Sequence, residues 1–347
     1  MKKEIFIGNV GIGGDHPVSV QSMTSTKTGD STATLAQIKE LYFAGCDIVR
    51  VSVPEKNVID SFKRIVEESP LPVIADIHFS TSLAIESIIA GAKGLRINPG
   101  NIGSRDKLKS IIDTASIYGI PIRIGVNSGS IEKKYFNKNR SKAEMMVNSI
   151  MDKVEMFEEL GFTNIKLSLK SSNVKETIEA NRIIDKKCNY PIHLGVTEAG
   201  TLYSGTIKSS IGIGSLLADG IGNTIRVSLT DDPVKEVKVA REILKVLGLR
   251  DEGVELISCP TCSRVSVDLI SIVKNFEKRI EEEKISKNIK VAIMGCEVNG
   301  PGEAKDADIG IAFSQKKGFI FRKGKRIKET DPKNAISTLI DIIKNMP

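Results

Sequence analysis

Three cysteines and a glutamate near the end of the chain have the spacing of ligands. Cys259 and Cys262 form a Cys-x-x-Cys turn, and Cys296 opens the run Cys296-Glu297-Val298-Asn299-Gly300-Pro301-Gly302-Glu303. Such a turn puts two sulfurs within reach of one metal or one face of a cluster. A third thiolate in a glycine-rich loop can close that side from a distant part of the chain. Neither run holds a fourth cysteine, whereas structural zinc usually takes four closed ligands and a reactive metal keeps one position open or weakly held. Three readings stand side by side here. A redox dithiol belongs at the start of a helix in a thioredoxin-like unit, without a distant third cysteine. Zinc would need another donor, and the three histidines, His16, His78 and His193, lie far back in the chain. An iron–sulfur cluster held by the three cysteines and Glu303 fits the donor set best, because glycine lets backbone N–H groups approach cluster sulfides.

A second set of reactive residues lies upstream, at the ends of regularly spaced apolar runs. Residues 18–24, 47–53, 72–78, 94–99, 121–127, 164–170, 191–198 and 224–230 are short and rich in β-branched side chains. Stretches with helical periodicity follow them, among them 34–44, 57–68, 142–160 and 234–247. The last begins at Asp232-Pro233, a cap residue followed by proline at the first helical position. Eight strands alternating with helices over roughly 250 residues predict a (β/α)8 TIM barrel. A doubly wound sheet is the alternative, but no Gly-x-Gly-x-x-Gly opens a helix after the first strand.

In a barrel of this kind active sites form at the carboxyl ends of the strands. The endings here are polar: Arg50 and Ser52, Asp76 and His78, Arg96 and Asn98, Arg123 and Asn127, Ser168 and Lys170, Thr197 and Glu198, Arg226 and Ser228. Side chains two apart on a strand share a face, so Arg50 with Ser52, Arg96 with Asn98, and Arg226 with Ser228 point the same way. Four arginines aimed at the helix layer would each be a buried, unpaired charge costing several kcal/mol. Aimed into the barrel mouth, they converge with Lys170 into a site for a polyanion, since guanidinium forks match phosphate oxygens two at a time. The plain structural alternative is that each arginine pairs with a neighbouring carboxylate, and only Asp76 and Glu198 are available on these strands. A diphosphate or bisphosphate is the expected ligand class. Nucleic acid fits less well, because no aromatic side chains interleave the charge for stacking.

The composition agrees with a soluble globule: 347 residues, 40% hydrophobic, 27% charged and a net charge of +7. Five cysteines, three of them clustered, point to a reducing compartment, and Cys46 and Cys188 read as inert thiols. Residues 1–20 lack the apolar core of a signal peptide, and no stretch approaches the ~18 apolar residues of a membrane helix. A cytoplasmic protein without membrane contact is expected.

Four further segments complete the reading. Residues 4–16, with Gly11, Gly13 and Gly14, predict a short hairpin or turn plugging one end of the barrel. The long connection 128–141 carries Lys133, Lys134, Tyr135, Lys138 and Arg140, and reads as a solvated loop or as a lid. His193 falls in mid-strand and reads as an interior histidine. Residues 248–253 read as a linker, dividing a barrel domain (1–249) from a small α/β domain (250–347). In that second domain an amphipathic helix with Leu269, Ile272, Val273, Phe276 and Ile280 on one face follows the first cysteine pair. A strand at 290–295, a hairpin of 309–313 with 319–321 and a closing helix at 332–346 are expected after it.

These runs together resemble the 4-hydroxy-3-methylbut-2-enyl diphosphate synthase family of the methylerythritol phosphate route to isoprenoids. The resemblance lies in Val20-Gln21-Ser22-Met23-Thr24, Arg50-Val51-Ser52-Val53-Pro54, Ala75-Asp76-Ile77-His78-Phe79 and Leu95-Arg96-Ile97-Asn98-Pro99-Gly100-Asn101. It continues in His193-Leu194-Gly195-Val196-Thr197-Glu198-Ala199-Gly200 and in both cysteine runs, and the length resembles the compact two-domain bacterial form. It implies a 4Fe–4S cluster on Cys259, Cys262, Cys296 and Glu303. It also implies 2-C-methyl-D-erythritol 2,4-cyclodiphosphate as substrate, gripped by Arg50, Arg96, Arg123, Lys170, Arg226 and Ser228, with Asn127 and Asn299 nearby. Asp76, His78 and Asn98 are further candidates for substrate contact, and Glu198 is the candidate proton donor to the leaving hydroxyl. The implied reaction is a two-electron reductive ring opening with loss of water, fed by flavodoxin or ferredoxin. The implied assembly is a homodimer in which one chain's cluster domain covers the other chain's barrel mouth. Two other functions compete with this one: a zinc-stapled module that binds an anionic ligand or RNA without chemistry, and a phosphate-binding barrel lyase with a structural metal.

Overall fold

The computed structural model describes residues 1–98, 104–250, 253–296 and 306–346. Its chain divides into two units, Met1–Arg250 and Asp251–Pro347.

The first unit opens with an antiparallel hairpin, β1 (Ile5–Ile7) and β2 (Val10–Ile12). Eight parallel strands follow: β3 (Ser19–Met23), β4 (Ile48–Ser52), β5 (Val73–Asp76), β6 (Gly94–Ile97), β7 (Ile122–Asn127), β8 (Ile165–Lys170), β9 (His193–Leu194) and β10 (Thr224–Ile225). Their order is β8-β7-β6-β5-β4-β3-β10-β9, and a parallel bridge between Leu167 and Ile192 joins β8 back to the start of β9. The sheet therefore closes on itself into the expected TIM barrel.

Strand alternation sorts the side chains. Val20, Val49, Val51, Ala75, Leu95, Ile97, Ile122, Ile124, Ile165, Leu167, Leu169, Leu194 and Ile225 pack outward against the helix layer. The intervening positions face the barrel axis. At the amino ends of the strands, Ile48 and Ile74 meet Ile5, Ile7 and Ile12 of the hairpin, which plugs that mouth. Higher up, the inward positions are polar, where a barrel interior usually stacks branched aliphatic layers.

The helices start where the sequence supplies caps. Asp30, Ser80, Ser104 and Asn173 accept backbone N–H groups at the starts of Ser31–Phe43, Thr81–Ile89, Arg105–Ile117 and Val174–Lys187. Ser141 and Glu144 form a reciprocal capping box on Lys142–Glu159. Asp232 caps Pro233–Val246, with proline at the first position as expected.

Two expectations shift. The seventh and eighth strands are only two residues long, so Glu198 is not on a strand. It sits in a turn at φ 52°, a left-handed conformation that a non-glycine residue adopts at a cost. Beyond β10 the ladder continues by one bond, from Arg226 N–H to Leu194 C=O. The connection 128–141, expected as a solvated loop or a lid, is mostly exposed and carries two 3-10 turns, Ser128–Ser130 and Lys133–Tyr135. Tyr135 Oη donates to Asp152 at 2.7 Å, and Lys134 pairs with Glu132 and Asp152, which ties the connection to the helix after it.

The second unit is a five-stranded sheet in the order β11 (Val254–Ser258), β12 (Ile289–Met294), β13 (Ile309–Phe313), β14 (Gly318–Arg322), β15 (Lys325–Thr330). The first three strands run parallel and the last two return antiparallel. Helices Leu269–Glu282 and Ala335–Lys344 cover one face, burying Leu269, Phe276, Leu339 and Ile343 against Val291, Ile293, Ile309 and Ile311. Strands β11 and β15 were not foreseen. Half-buried β11 lies just beyond the 248–253 linker and shows no strong strand alternation, and β15 has five exposed positions out of six.

Candidate functional site

At the carboxyl end of the barrel, Arg50, Asp76, Arg96, Arg123, Lys170 and Arg226 stand on neighbouring strands or immediately after them. Register fixes their company: Asp76 pairs with Arg96 across β5 and β6, Arg96 with Arg123 across β6 and β7, and Asn127 with Lys170 across β7 and β8. The inward alternation of each strand then turns these side chains into one basin.

Asp76 organises this basin and is a poor contact for an anion. Its carboxylate lies 3.1 Å from Arg96 Nη1 and 3.3 Å from Arg50 Nε, with His78 Nε2 at 3.8 Å. Burial pushes the Asp76 carboxyl up, but Arg50, Arg96 and Arg123 outweigh it and hold it below the usual carboxylate range. Burial pulls Arg50 down to about 10, partly offset by Asp76 and reinforced by Arg226 and Arg96. Arg123 and Lys170 are lowered much further, first by burial and then by the surrounding cations.

Glu236 is a carboxylate that the strand sequences do not reveal. It reaches in from the helix Pro233–Val246, accepting the Leu229 N–H at 2.9 Å and the Ser22 hydroxyl at 3.3 Å. Its Oε2 lies 3.5 Å from Arg226 Nη2. Among the strand ends only Asp76 and Glu198 are acids, and nothing local in sequence reports a contact between a helix and the strand behind it. Gly195 is silent in the same way. A Cβ there would lie 2.5 Å from Lys170 Nζ, so the absence of a side chain leaves room for the ammonium group.

The remaining expected contacts divide. His78 is half exposed beside Asp76, and Ser228 is half-buried after β10. Asn127 is committed to a local cap: its side chain accepts a backbone N–H of the Ser128–Ser130 turn, while its own N–H donates to Ser130 Oγ at 3.1 Å. Asn98 accepts from Lys153 Nζ at 3.5 Å and so engages the helix Lys142–Glu159. Glu198 is exposed in its turn. Asn299 and Glu303 lie outside the described residues.

In the second unit the cysteines gather at the carboxyl ends of parallel strands. Ser258 pairs with Ile293, so Cys259 directly follows β11 and Cys296 follows β12 by one residue more. Gly295 N–H donates to Cys259 Sγ at 3.2 Å, the type of bond that steadies a ligating sulfur. Cys296 is buried and Cys262 exposed. Backbone N–H donation at Arg264, followed by the Arg264 charge, holds the Cys262 thiol below its ordinary value and favours the thiolate. Among the described residues no three His, Cys, Asp or Glu side chains converge on a single ion. Ligands of a cluster each hold a different iron and stand farther apart. The donor set of soft sulfurs with N–H support fits iron–sulfur chemistry. Cys46, by contrast, is buried and pushed up to about 12, an inert core thiol as expected, and burial also raises Cys188.

The chain matches two family models, the GcpE TIM-barrel domain over residues 2–241 and the GcpE protein C-terminal domain over residues 255–345. It is 54% identical to 4-hydroxy-3-methylbut-2-en-1-yl diphosphate synthase (flavodoxin) of Clostridium acetobutylicum, over 99% of this chain and 98% of that one. The enzymes of the same name from Caldanaerobacter subterraneus and Aquifex aeolicus are 53% and 51% identical, covering 100% and 99% of this chain and 97% and 96% of theirs. Among solved structures, dihydropteroate synthase of Xanthomonas albilineans superposes with a TM-score of 0.52 at 12% identity, over 72% of this chain and 98% of that one. Spore coat polysaccharide biosynthesis protein SpsE of Bacillus subtilis gives 0.51 at 12%, over 71% and 74%. These last two likenesses speak for the barrel alone, whereas the two family models and the relatives span nearly the whole chain. The chain belongs to the GcpE family, that of the 4-hydroxy-3-methylbut-2-en-1-yl diphosphate synthases.

Proposed function

We propose that the chain makes 4-hydroxy-3-methylbut-2-enyl diphosphate by reductive ring opening of 2-C-methyl-D-erythritol 2,4-cyclodiphosphate. The observation that carries this reading is the basin of four guanidinium groups and Lys170, served by two buried carboxylates that are already engaged. Its cationic surplus calls for a polyanion of diphosphate size. Two electrons break the ring C–O bond, and one proton carries the departing hydroxyl away as water. The product bears one negative charge more than the substrate, so a fixed array of guanidinium groups favours the forward direction.

Cys259, Cys262, Cys296 and Glu303 are the residues that would hold a 4Fe–4S cluster. When bound, that group supplies electrons one at a time and a Lewis-acidic iron whose carboxylate ligand exchanges more readily than a thiolate. Arg50 and Arg96, braced by Asp76, and Arg226, braced by Glu236, hold and orient the diphosphate, with Arg123, Lys170 and Ser228 beside them. Glu198 is proposed to hand the proton to the leaving hydroxyl. Its left-handed turn after β9 supports this, since strained backbone persists where a side chain must be aimed.

The relatives are named for flavodoxin, and a small one-electron carrier of that type, or a ferredoxin, is the proposed donor. A homodimer in which each C-terminal unit covers the partner's barrel mouth is also proposed. The exposed rings of Phe79, in the loop after β5, and of Tyr203, in the first turn of the helix Leu202–Ala218, support a covering partner there. No helix of the described residues is long and apolar enough to cross a membrane.

Anaerobic purification with metal and sulfide analysis tests the reading. A brown protein with about four irons and four sulfides per chain is expected. A colourless protein holding zinc would contradict it.

A further inference from the structure

The basin has a floor that the proposed reaction does not use. Lys166 lies on β8 one inward position below Ser168 and two below Lys170, and it pairs in register with Arg123 of β7. It is 1% exposed, and its Nζ has no hydrogen-bond partner. The barrel interior holds more orphaned polar atoms: Ser19 Oγ and both amide atoms of Gln21 on β3, and His193 Nε2 on β9. His193 Nδ1 bonds to Thr224 Oγ1.

Charge counting makes Lys166 unusual. Arg123 stands beside it, Arg50 across the barrel and Lys170 above it, and the acids of this end are spoken for, Asp76 by Arg50 and Arg96, Glu236 by Arg226. The charged groups that act on Lys166 are Arg123 and Arg50, both cations. His193, on β9, adds none, because burial and the cations Lys170, Arg123, Lys166 and Arg50 hold it neutral. Arginine does not give up its proton in such a place, whereas a desolvated lysine does. A second ammonium layer below four guanidinium groups is therefore untenable until negative charge arrives.

We propose, building on the basin reading above, that Lys166 is a proton-accepting positioning residue: its amine is uncharged in the empty basin and becomes an ammonium when the diphosphate docks above it, so that binding draws a proton in. Such an ammonium needs acceptors, and the unpartnered atoms of Gln21, Ser19 and the neutral His193 are those the barrel interior has to offer on rearrangement. Burial first, then Arg123 and Arg50, already hold the free amine well below its ordinary value.

Isothermal titration of the oxidised, cluster-loaded enzyme with 2-C-methyl-D-erythritol 2,4-cyclodiphosphate, without reductant, tests this. Run at pH 8 in two buffers of different ionisation heat, the wild type should take up about one proton per ligand or more. Its affinity should fall as pH rises above 8, by up to about tenfold per unit for each proton taken up. Lys166→Met should lose at least half of the uptake and flatten that slope. Lys166→Arg, charged throughout, should bind with the same reduced uptake. Wild-type binding without proton uptake overturns the proposal while leaving the basin reading intact, as does unchanged uptake in Lys166→Met. A wild type that does not bind the ligand overturns both. Should Lys166→Met fail to fold, Lys166→Gln takes its place with the same expected loss of uptake, and unchanged uptake there overturns the proposal equally.

Discussion

Lys170 lies directly over Gly195: a methyl group at that glycine would come within 2.5 Å of the ammonium nitrogen and 2.6 Å of the Arg226 carbonyl oxygen. The Arg226 carbonyl belongs to the backbone just after β10 and gives way least, whereas the lysine is the far end of a flexible side chain and moves first. Gly195→Ala should therefore displace Lys170 from the basin. A charge-assisted hydrogen bond is worth about 1.5–3 kcal/mol, so KM for the cyclic diphosphate should rise on the order of tenfold to a hundredfold. Steady-state kinetics check this, and an unchanged KM would remove Lys170 from the ligand's contacts.

Asp76 bridges two arginines, and its replacement tests whether the basin is braced or merely crowded. Asp76→Asn leaves Arg50 and Arg96 buried without a charge partner, a loss of about 3 kcal/mol or more. The pH dependence has a definite sign. The folded carboxyl is held below its unfolded value, so its stabilisation is complete above about pH 4 and is lost as pH falls through the lower, folded value. Acid unfolding followed by circular dichroism should show the wild type losing stability steeply below pH 4 and Asp76→Asn losing correspondingly less.

Glu198→Gln separates proton delivery from binding. The side chain is exposed in its turn and has no described partner in the basin, so its amide should leave folding, cluster content and substrate affinity near wild type. Turnover should fall by about a hundredfold or more, in the range of a lost general acid. Near-normal rates would assign the proton to another group.

The ligands of the proposed cluster are expected to differ in kind. Cys259→Ser, Cys262→Ser and Cys296→Ser should each lose most of the visible absorption of the anaerobically purified protein. Glu303→Cys should keep a cluster chromophore yet lose turnover, because a fourth thiolate resists exchange for a substrate oxygen. A colourless Glu303→Cys variant, or an active one, would contradict the carboxylate's role.

Much of the fold and of the basin is legible in the sequence. The barrel followed from eight β-branched runs with caps such as Asp232-Pro233, and the basin from arginines at alternating positions near strand ends. The misses have physical causes. Glu198 was placed on a strand because Pro191–Val196 is apolar, but β9 closes after Leu194 and the chain turns left-handed at the glutamate. Glu236 escaped notice because its partners, Arg226, Ser22 and Leu229, lie on other elements. Lys166 was visible as the first member of Lys166-x-Ser168-x-Lys170, yet a charge that deep in a barrel interior defies the usual aliphatic filling. Asn127 and Asn98 are the reverse case, polar residues at the right place whose described bonds are structural.

The central claim is that this cationic basin presents a cyclic diphosphate for reduction. Turnover of 2-C-methyl-D-erythritol 2,4-cyclodiphosphate by the anaerobically purified protein, followed with and without a one-electron donor, tests it most directly. The account predicts 4-hydroxy-3-methylbut-2-enyl diphosphate in proportion to the electrons supplied, and none without the donor. Product formed equally well without reductant, or no product with it from a protein loaded with its cluster, would contradict the account.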